Sequence, residues 1–500
     1  MGEPKKALVV STPEPVKIDS FAGPVEVYFD DQADCTPLGQ LPFFIDFLKT
    51  TGFFEAWVKD CPLGYTSPNA SDARDLLGTV MLSILCGHNR YAHISSLRYE
   101  SVNPGLLGMN KVASEDAIRR AGIALATPEG MAWMERHLAC TVTPLFDQPW
   151  ILDVDASVKP LYGHQEGAVL GYNPKKPGRP CHALHSAMMA GTRLVCTVEM
   201  RPGNESASKH ALGWLENWLE SMPREQWPWL VRGDAGLGTD AMMRSCENKG
   251  QNYLFKLRRS AGVQKLAQRL FLEADWKAAG DGWSAAQAPL KLLGWDRERK
   301  VTVLRRAMGK ELAAADAQGK LQFMSVKESA EVWEYVVLVC SLDLDPWTMS
   351  KLYRGRGDCE NHFDELKNQW GWGGYVTRDL ARSRLMTRII ALVYNWWTIY
   401  ARLAGEGRHQ EALTSRPELM SGVGRLSRHA GRKILRLSRL HSCSAKVIRR
   451  LRALVHLFKM MTAEQLNEST RLAKLLLLAF RKLLAPSPPF HLQLQINCRI

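Results

Sequence analysis

The chain has 500 residues, with 65 Lys and Arg against 51 Asp and Glu, a formal net charge of +14. That length exceeds what one hydrophobic core holds, so roughly two to four domains are expected. Hydrophobic residues at 46% and charged residues at 23% exclude wholesale disorder, collagen and coiled coil. The most apolar stretch, Leu472–Leu484, is broken by Lys474, Arg481 and Lys482, so no membrane span is expected. MGEPKKALVV has no secretory-signal pattern. The 11 cysteines include no C-x-x-C pair, which argues against a zinc ribbon or redox motif and fits a reducing, cytoplasmic setting.

Residues 1–25 hold four prolines and no amphipathic period, and read as a flexible tail. Residues 26–147 read as a helical domain. Ser71 or Asp72 can cap a helix ending near Cys86, Ser114 can cap a second, and Thr127-Pro128-Glu129 opens a third. A DNA-recognition role there is open but unmarked. At about 148 the texture turns to β: WILDVDAS, HALHSAMMA and RLVCTVEMRPG read as strands, the last two separated by a Gly-Thr turn at 191–192. A capped amphipathic helix, the strand PWLVRGDAG, a helix and the strand NYLFKL complete a mixed α/β core over 148–257. Residues 258–345 read as one helix followed by short strands such as KVTVLRRAM, LQFMSV and WEYVVLVCS, a β-rich insertion. From Trp347 the pattern is helical until PSPPF at 486–490.

From Ser421 to Lys459 there are eleven Lys or Arg and no Asp or Glu. Leu426, Ile434, Leu435, Leu440, Val447, Ile448 and Leu451 interleave them, so the segment reads as helix with one buried stripe and one basic face. A solvated face usually carries balancing acids, and their absence favours a polyanion. Nucleic acid is the commonest, which makes Arg432, Lys433, Arg436, Arg449 and Arg450 candidate DNA contacts. An anionic membrane fits less well, because Trp and Phe are sparse here.

Two acids, Asp155 and Asp234, each follow an apolar strand and precede small residues, where α/β sheets present ligand groups. Asp153 shares a face with Asp155 and is a helper, a decoy or a solvated edge residue. In YRGRGDCENHFDELKNQW, the residues Tyr353, Arg356, Glu360 and Lys367 fall on one helical stripe about 60° wide. Such stripes are normally apolar. This one holds a phenol, two cations and a carboxylate, a set suited to metal and phosphate oxygens.

That spacing, Tyr353-x2-Arg356-x3-Glu360-x6-Lys367, resembles the Y-(2)-R-(3)-E-(6)-K signature of DDE-type bacterial insertion-sequence transposases. DVDASVKPLYGHQEGAVLGYNPKKPGRPCH resembles their first-aspartate region, and RPGNESA followed by LVRGDAGLG their approach to the second. The matching blocks cover roughly 150–260 and 345–400. The resemblance implies an RNase H-like core, interrupted by the insertion at 258–345, completed over 346–402 and followed by a basic helical region over 403–500. It implies a catalytic, metal-binding triad of Asp155, Asp234 and Glu360, with Tyr353, Arg356 and Lys367 contacting DNA. Two Mg²⁺ or Mn²⁺ ions are the implied cofactors, since hard cations take oxygen ligands. The implied reaction is end cleavage of a DNA element, then attack of the 3′-OH on target DNA, by a homodimer in the synaptic complex. A nuclease without strand transfer and an inactive DNA-binding derivative are the alternatives. No nucleotide-cofactor motif is present.

Other residue groups carry weaker signals. Cys181-His182-x2-His185 has metal-like types, but the strand puts position 182 opposite 181 and 185, favouring core or pocket histidines. Asp364, one turn after Glu360, is its nearest rival. Glu365 is expected to face solvent, and Glu166 is a further acid that could be mistaken for the third ligand. Trp214, Trp218, Trp227 and Trp229 are expected to pack, and Trp396-Trp397 to anchor a core helix.

Overall fold

The computed structural model describes residues 16–27, 34–67, 69–147, 149–173, 176–308, 332–405, 407–439 and 444–484. A short hairpin, β1 (Val16–Ser20) and β2 (Gly23–Val27), stands where the sequence suggested only a tail; residues 1–15 lie outside the described residues. After the two-residue strand β3 (Cys35–Thr36) come α1 (Leu41–Thr51), α2 (Phe53–Lys59), α3 (Ala73–Leu85), α4 (Val102–Leu106), α5 (Glu115–Leu125) and α6 (Pro128–Cys140). The caps fall where their chemistry requires. Asp72 accepts from the Arg74 amide, Ser114 from Ala117 and Thr127 from Gly130, with Pro128 in the first turn.

The core strands are β4 (Ile151–Pro160), β5 (Cys181–Met189), β6 (Leu194–Pro202), β7 (Leu230–Gly233) and β8 (Tyr253–Lys256). Helix α7 (Ala207–Glu220) precedes β7, and α8 (Asp240–Asn248) links β7 to β8. Then come α9 (Ala261–Glu273), β9 (Lys277–Ala278), β10 (Trp283–Leu290), β11 (Arg299–Met308) and β12 (Val332–Cys340). Among the described residues these strands form one nine-stranded sheet in the order β6-β5-β4-β7-β8-β12-β11-β10-β9. Strands β4, β7 and β8 run parallel, and the remaining pairings are antiparallel. This is the mixed sheet with flanking helices that the RNase H-like reading predicts. The insertion does not stand apart from it, since β12 pairs with β8 through Val339–Phe255 and carries the core sheet onward. The expected strand LQFMSV lies outside the described residues.

Two helices, α10 (Pro346–Arg354) and α11 (Gly357–Asn368), then cross the sheet, and α12 (Leu380–Ala404) forms the spine of the molecule. Helix α12 is apolar on nearly every side and is buried accordingly. Trp396 stacks on Phe53 at 5.8 Å and meets Trp57 edge-on at 5.5 Å, while Trp397 packs on Phe44 at 5.3 Å. The N-terminal helices therefore close over the same spine. Asn395 ties it to β6 by accepting from the Val195 amide (2.9 Å) and donating to the Val195 carbonyl (2.8 Å). A buried amide satisfied on both sides fixes the depth of the helix against the sheet.

After α13 (Ala412–Leu419) the chain departs from the all-helical expectation. Strands β13 (Gly424–His429) and β14 (Arg432–Leu437) form a hairpin, and β13 pairs with β3. Only then do α14 (Ser444–Ala463) and α15 (Glu468–Leu484) follow. Ser-Gly-Val-Gly at 421–424 stops a helix, and Ala430-Gly431 supplies a two-residue turn with positive φ at both positions. The expected stop at 486–490 lies outside the described residues.

Candidate functional site

Strand β4 outruns its parallel neighbour. Its last pair with β7 is Val154–Gly233, so Asp155 and Asp234 emerge side by side one step later. Asp155 is thus mid-strand, not at a strand end as the apolar run suggested. The turn after Asp234 is held by the Gly236 amide donating to the Asp234 carboxylate at 2.8 Å. It packs so closely on β8 that a Cβ at Gly238 would lie 2.3 Å from the Lys256 carbonyl oxygen.

Alternation along β4 puts Asp153, Asp155, Ser157 and Lys159 on one face, and the segment carrying α10 and α11 runs along it. Arg232, salt-bridged to Asp153, donates to the Leu352 carbonyl; Arg356 meets Asp155 at 2.5 Å; Lys367 donates to Ser157; Lys159 donates to the Gly374 carbonyl. Asp345 caps α10 by accepting from the Trp347 and Thr348 amides at 3.0 Å. The helix breaks at Gly355-Arg356, so Tyr353 belongs to α10, while Glu360 and Lys367 belong to α11. The stripe nevertheless stays together, because both residues of the break keep right-handed helical angles.

The electrostatics gather the acids. Burial pushes the Asp155 carboxyl up to about 6; Arg356 opposes this, and the charges of Asp234 and Glu360 add to it. Arg356 is itself buried, and the carboxylate of Asp155 helps hold it in its charged form. Burial pushes the Tyr353 phenol up to about 12 and draws the Lys159 amine down to about 8. Glu360 lies in the first turn of α11 and is exposed. Among the described residues, no three His, Cys, Asp or Glu side chains lie close enough together to hold a metal ion.

Several acids near the site have other duties. Asp153 is fully buried in a two-pronged pair with Arg232, both contacts 2.7 Å, so it is neither solvated nor available. Glu166 accepts from the Leu380 amide at 2.9 Å and so serves the start of α12. Asp364 is exposed and accepts from Asn368. Glu365 does not face solvent as expected: it is 1% exposed and accepts from His409 (2.9 Å), Trp370 (3.1 Å) and the Ala412 amide (3.2 Å). Arg193, at the β5–β6 turn, lies 3.6 Å from Glu365, 3.5 Å from Glu411 and 3.2 Å from Asp358. This network fastens the far side of α11. Replacing Glu365 by Ala is expected to cost about 2–3 kcal/mol, because several buried donors lose their acceptor; urea unfolding with an unchanged midpoint would contradict it.

His182 and His185 are buried against the backbone carbonyls of Glu166 and Glu205, as pocket histidines. Trp218 packs edge-on against Trp150 and Phe146. Of the basic candidates, Arg432, Lys433, Arg436 and Arg449 are exposed, whereas Arg450 is half-buried and paired with Glu418 at 2.9 Å. Sequence reasoning missed Arg232, Arg193, Ser157 and Lys159. The last two were findable, since they continue the alternation that links Asp153 to Asp155.

The family model described as Transposase DDE domain group 1 matches residues 66–459. No curated protein matches the chain. Among solved structures it is similar to a piggyBac transposase in a synaptic complex with hairpin DNA. The TM-score is 0.42 and the identity 10%, over 92% of this chain and 88% of that one.

Proposed function

The chain belongs to the group 1 DDE-domain transposases, and from that premise we propose that Asp155, Asp234 and Glu360 form its catalytic acid set. The observation that carries this reading is that Asp155 and Asp234 each follow the last β4–β7 pair, Val154–Gly233, and that the charges of Asp234 and Glu360 both act on the Asp155 carboxyl. By donor chemistry the set suits Mg²⁺ or Mn²⁺, since all its donors are carboxylate oxygens, but the three acids do not lie close enough together in this structure to hold an ion, so binding one requires them to draw in. When bound, a pair of such ions would activate the attacking water or 3′-hydroxyl and offset charge on the leaving oxygen.

The protein's own residues do the positioning. Arg356 partly offsets the burial that favours the neutral Asp155 carboxyl, and it presents a planar donor suited to phosphate oxygens. Lys367 braces the same strand at Ser157. Burial favours the protonated form of Tyr353, which suits it to donate to a DNA phosphate; the reaction requires no protein–DNA bond, so Tyr353 need not be a nucleophile. Arg432, Lys433, Arg436 and Arg449 hold double-stranded DNA away from the acids; Arg450, already paired, contributes less. The substrate is then a bacterial insertion sequence with terminal inverted repeats. It is cut at its ends and joined to target DNA through the freed 3′-OH by a homodimer in the cytoplasm.

A plasmid carrying the gene's own flanking DNA tests the reaction. Cleavage is expected with Mg²⁺ or Mn²⁺, loss in EDTA, and restoration on adding either ion back. Cleavage undiminished by EDTA contradicts the metal reading, and cleavage without joined product leaves a nuclease.

A further inference from the structure

The first part of the basic segment is a two-stranded ribbon, and its pairing is electrostatically unfavourable. Arg425 stands opposite Arg436, Arg428 opposite Lys433, and His429 opposite Arg432. Like charges directly opposite destabilise a ladder. Charges on an edge strand can serve to block aggregation, and β14 is an edge strand. Beyond Leu426, among the described residues, the outer side of β13 is equally without a strand neighbour, so edge protection accounts for cations on both strands, but not for their being set directly opposite one another. Among the described residues, none of Arg425, Arg428, Arg432 and Lys433 has an acidic partner within ion-pair distance.

The ribbon is anchored only at its base. Gly424 and Arg425 pair with Thr36 and Cys35, and the Leu426 amide donates to the Asp34 carbonyl at 2.8 Å. Residues 428–433 are all exposed. The tight turn at Ala430-Gly431, with φ of 48° and 75°, keeps the tip narrow. Opposed residues share a face, so Arg428 and Lys433 project from one side of the tip and His429 and Arg432 from the other.

Cations on both faces distinguish the possible partners. A ribbon lying flat on a membrane or a protein needs charge on one face. A ribbon standing between two phosphate walls needs it on both. We propose that β13–β14 enters the major groove of duplex DNA, with Arg428 and Lys433 facing one phosphate strand and Arg432 the other. The major groove, about 12 Å wide, admits a two-stranded ribbon, whereas the minor groove, about 6 Å wide, does not. The phosphates then supply the counter-charge that the fold omits. This inference rests on the reading of the chain as a DNA-acting transposase and specifies how it grips duplex.

The test uses the full chain and a labelled mixed-sequence duplex, with affinity measured across a potassium chloride series. The triple variant Arg428→Gln, Arg432→Gln, Lys433→Gln is expected to flatten the log–log salt slope by up to about 2.7, roughly 0.9 for each of three lost phosphate contacts. Its thermal midpoint should stay equal or rise, since repulsion has been removed. Arg428→Lys with Arg432→Lys should keep the wild-type slope, which guards against a folding artefact. Wild-type protein should protect guanine N7 from dimethyl sulfate, and the triple variant should lose that protection. A steep wild-type slope that the triple variant leaves unchanged overturns the ribbon while DNA binding stands. A wild type without salt-dependent duplex binding overturns the DNA reading itself. Protection confined to adenine N3 in the minor groove, or preference for anionic vesicles over duplex, also overturns the proposal.

Discussion

Asp155→Asn, Asp234→Asn and Glu360→Gln are each expected to reduce DNA cleavage by several orders of magnitude while duplex affinity stays within a few fold. Each swap keeps the shape and removes the charge that would position a divalent cation at the scissile phosphate. Asp155→Asn has a second effect, because it leaves Arg356 buried at 8% exposure without its anion. Its unfolding midpoint should therefore fall, whereas Glu360→Gln, at an exposed position, should leave stability unchanged. Asp364→Asn, whose exposed carboxylate accepts from the Asn368 side chain, should cut normally. A cleaving Glu360→Gln protein beside an inactive Asp364→Asn protein would place the third acid one helical turn later.

The largest expected effect on stability belongs to a residue that touches no substrate in this scheme. Asp153→Ala is expected to lower stability by about 3–5 kcal/mol, because Arg232 would remain buried without its counter-charge. Arg232 is also the bridge from β7 to the Leu352 carbonyl in α10, so freeing it from Asp153 loosens one of the contacts that fasten the helices bearing Tyr353 and Glu360 to the sheet. A stability loss of less than about 1 kcal/mol, taken from the urea midpoint shift multiplied by the slope m, would contradict this. Replacing Asp153 and Arg232 together by apolar residues of similar volume should recover much of the loss, as buried pairs often cost about as much to desolvate as they return.

The strand–helix alternation of the core was legible because apolar runs such as those of β5, β6 and β7 alternate with amphipathic stretches, and a side-chain cap opens α8; the Ser206 cap expected for α7 makes no side-chain hydrogen bond. The acids were legible for a related reason: a charged residue next to small ones at the end of an apolar run has few structural uses. Asp153 looked identical by that rule and proved to be a core residue. Its partner Arg232 lies on a different strand, and only the β4–β7 register brings them together. Glu365 was misread for the same reason, since its ligands come from 193, 370, 409 and 412. The hairpin at 424–437 was missed because Arg and Leu interleaved at mixed spacing satisfy a helical and a two-residue period alike. The Gly-rich entry and the Ala-Gly turn were the deciding signals, and they are local.

The place of β12 next to β8 has a consequence for the nascent chain. Residues 257–331 separate the two strands, and at about 5–20 residues per second their synthesis takes roughly 4–15 s. Throughout that interval β4, β7 and β8 have been made, with Asp155 on β4 and Asp234 just past the end of β7, but β8 lacks its outer neighbour β12 and Glu360 has not been made. A polypeptide interrupted in the insertion thus exposes an edge that invites aggregation and has two of the three proposed ligands. Because the completing acid follows the strand that seals the sheet, a molecule capable of cutting DNA has already closed the open side of β8.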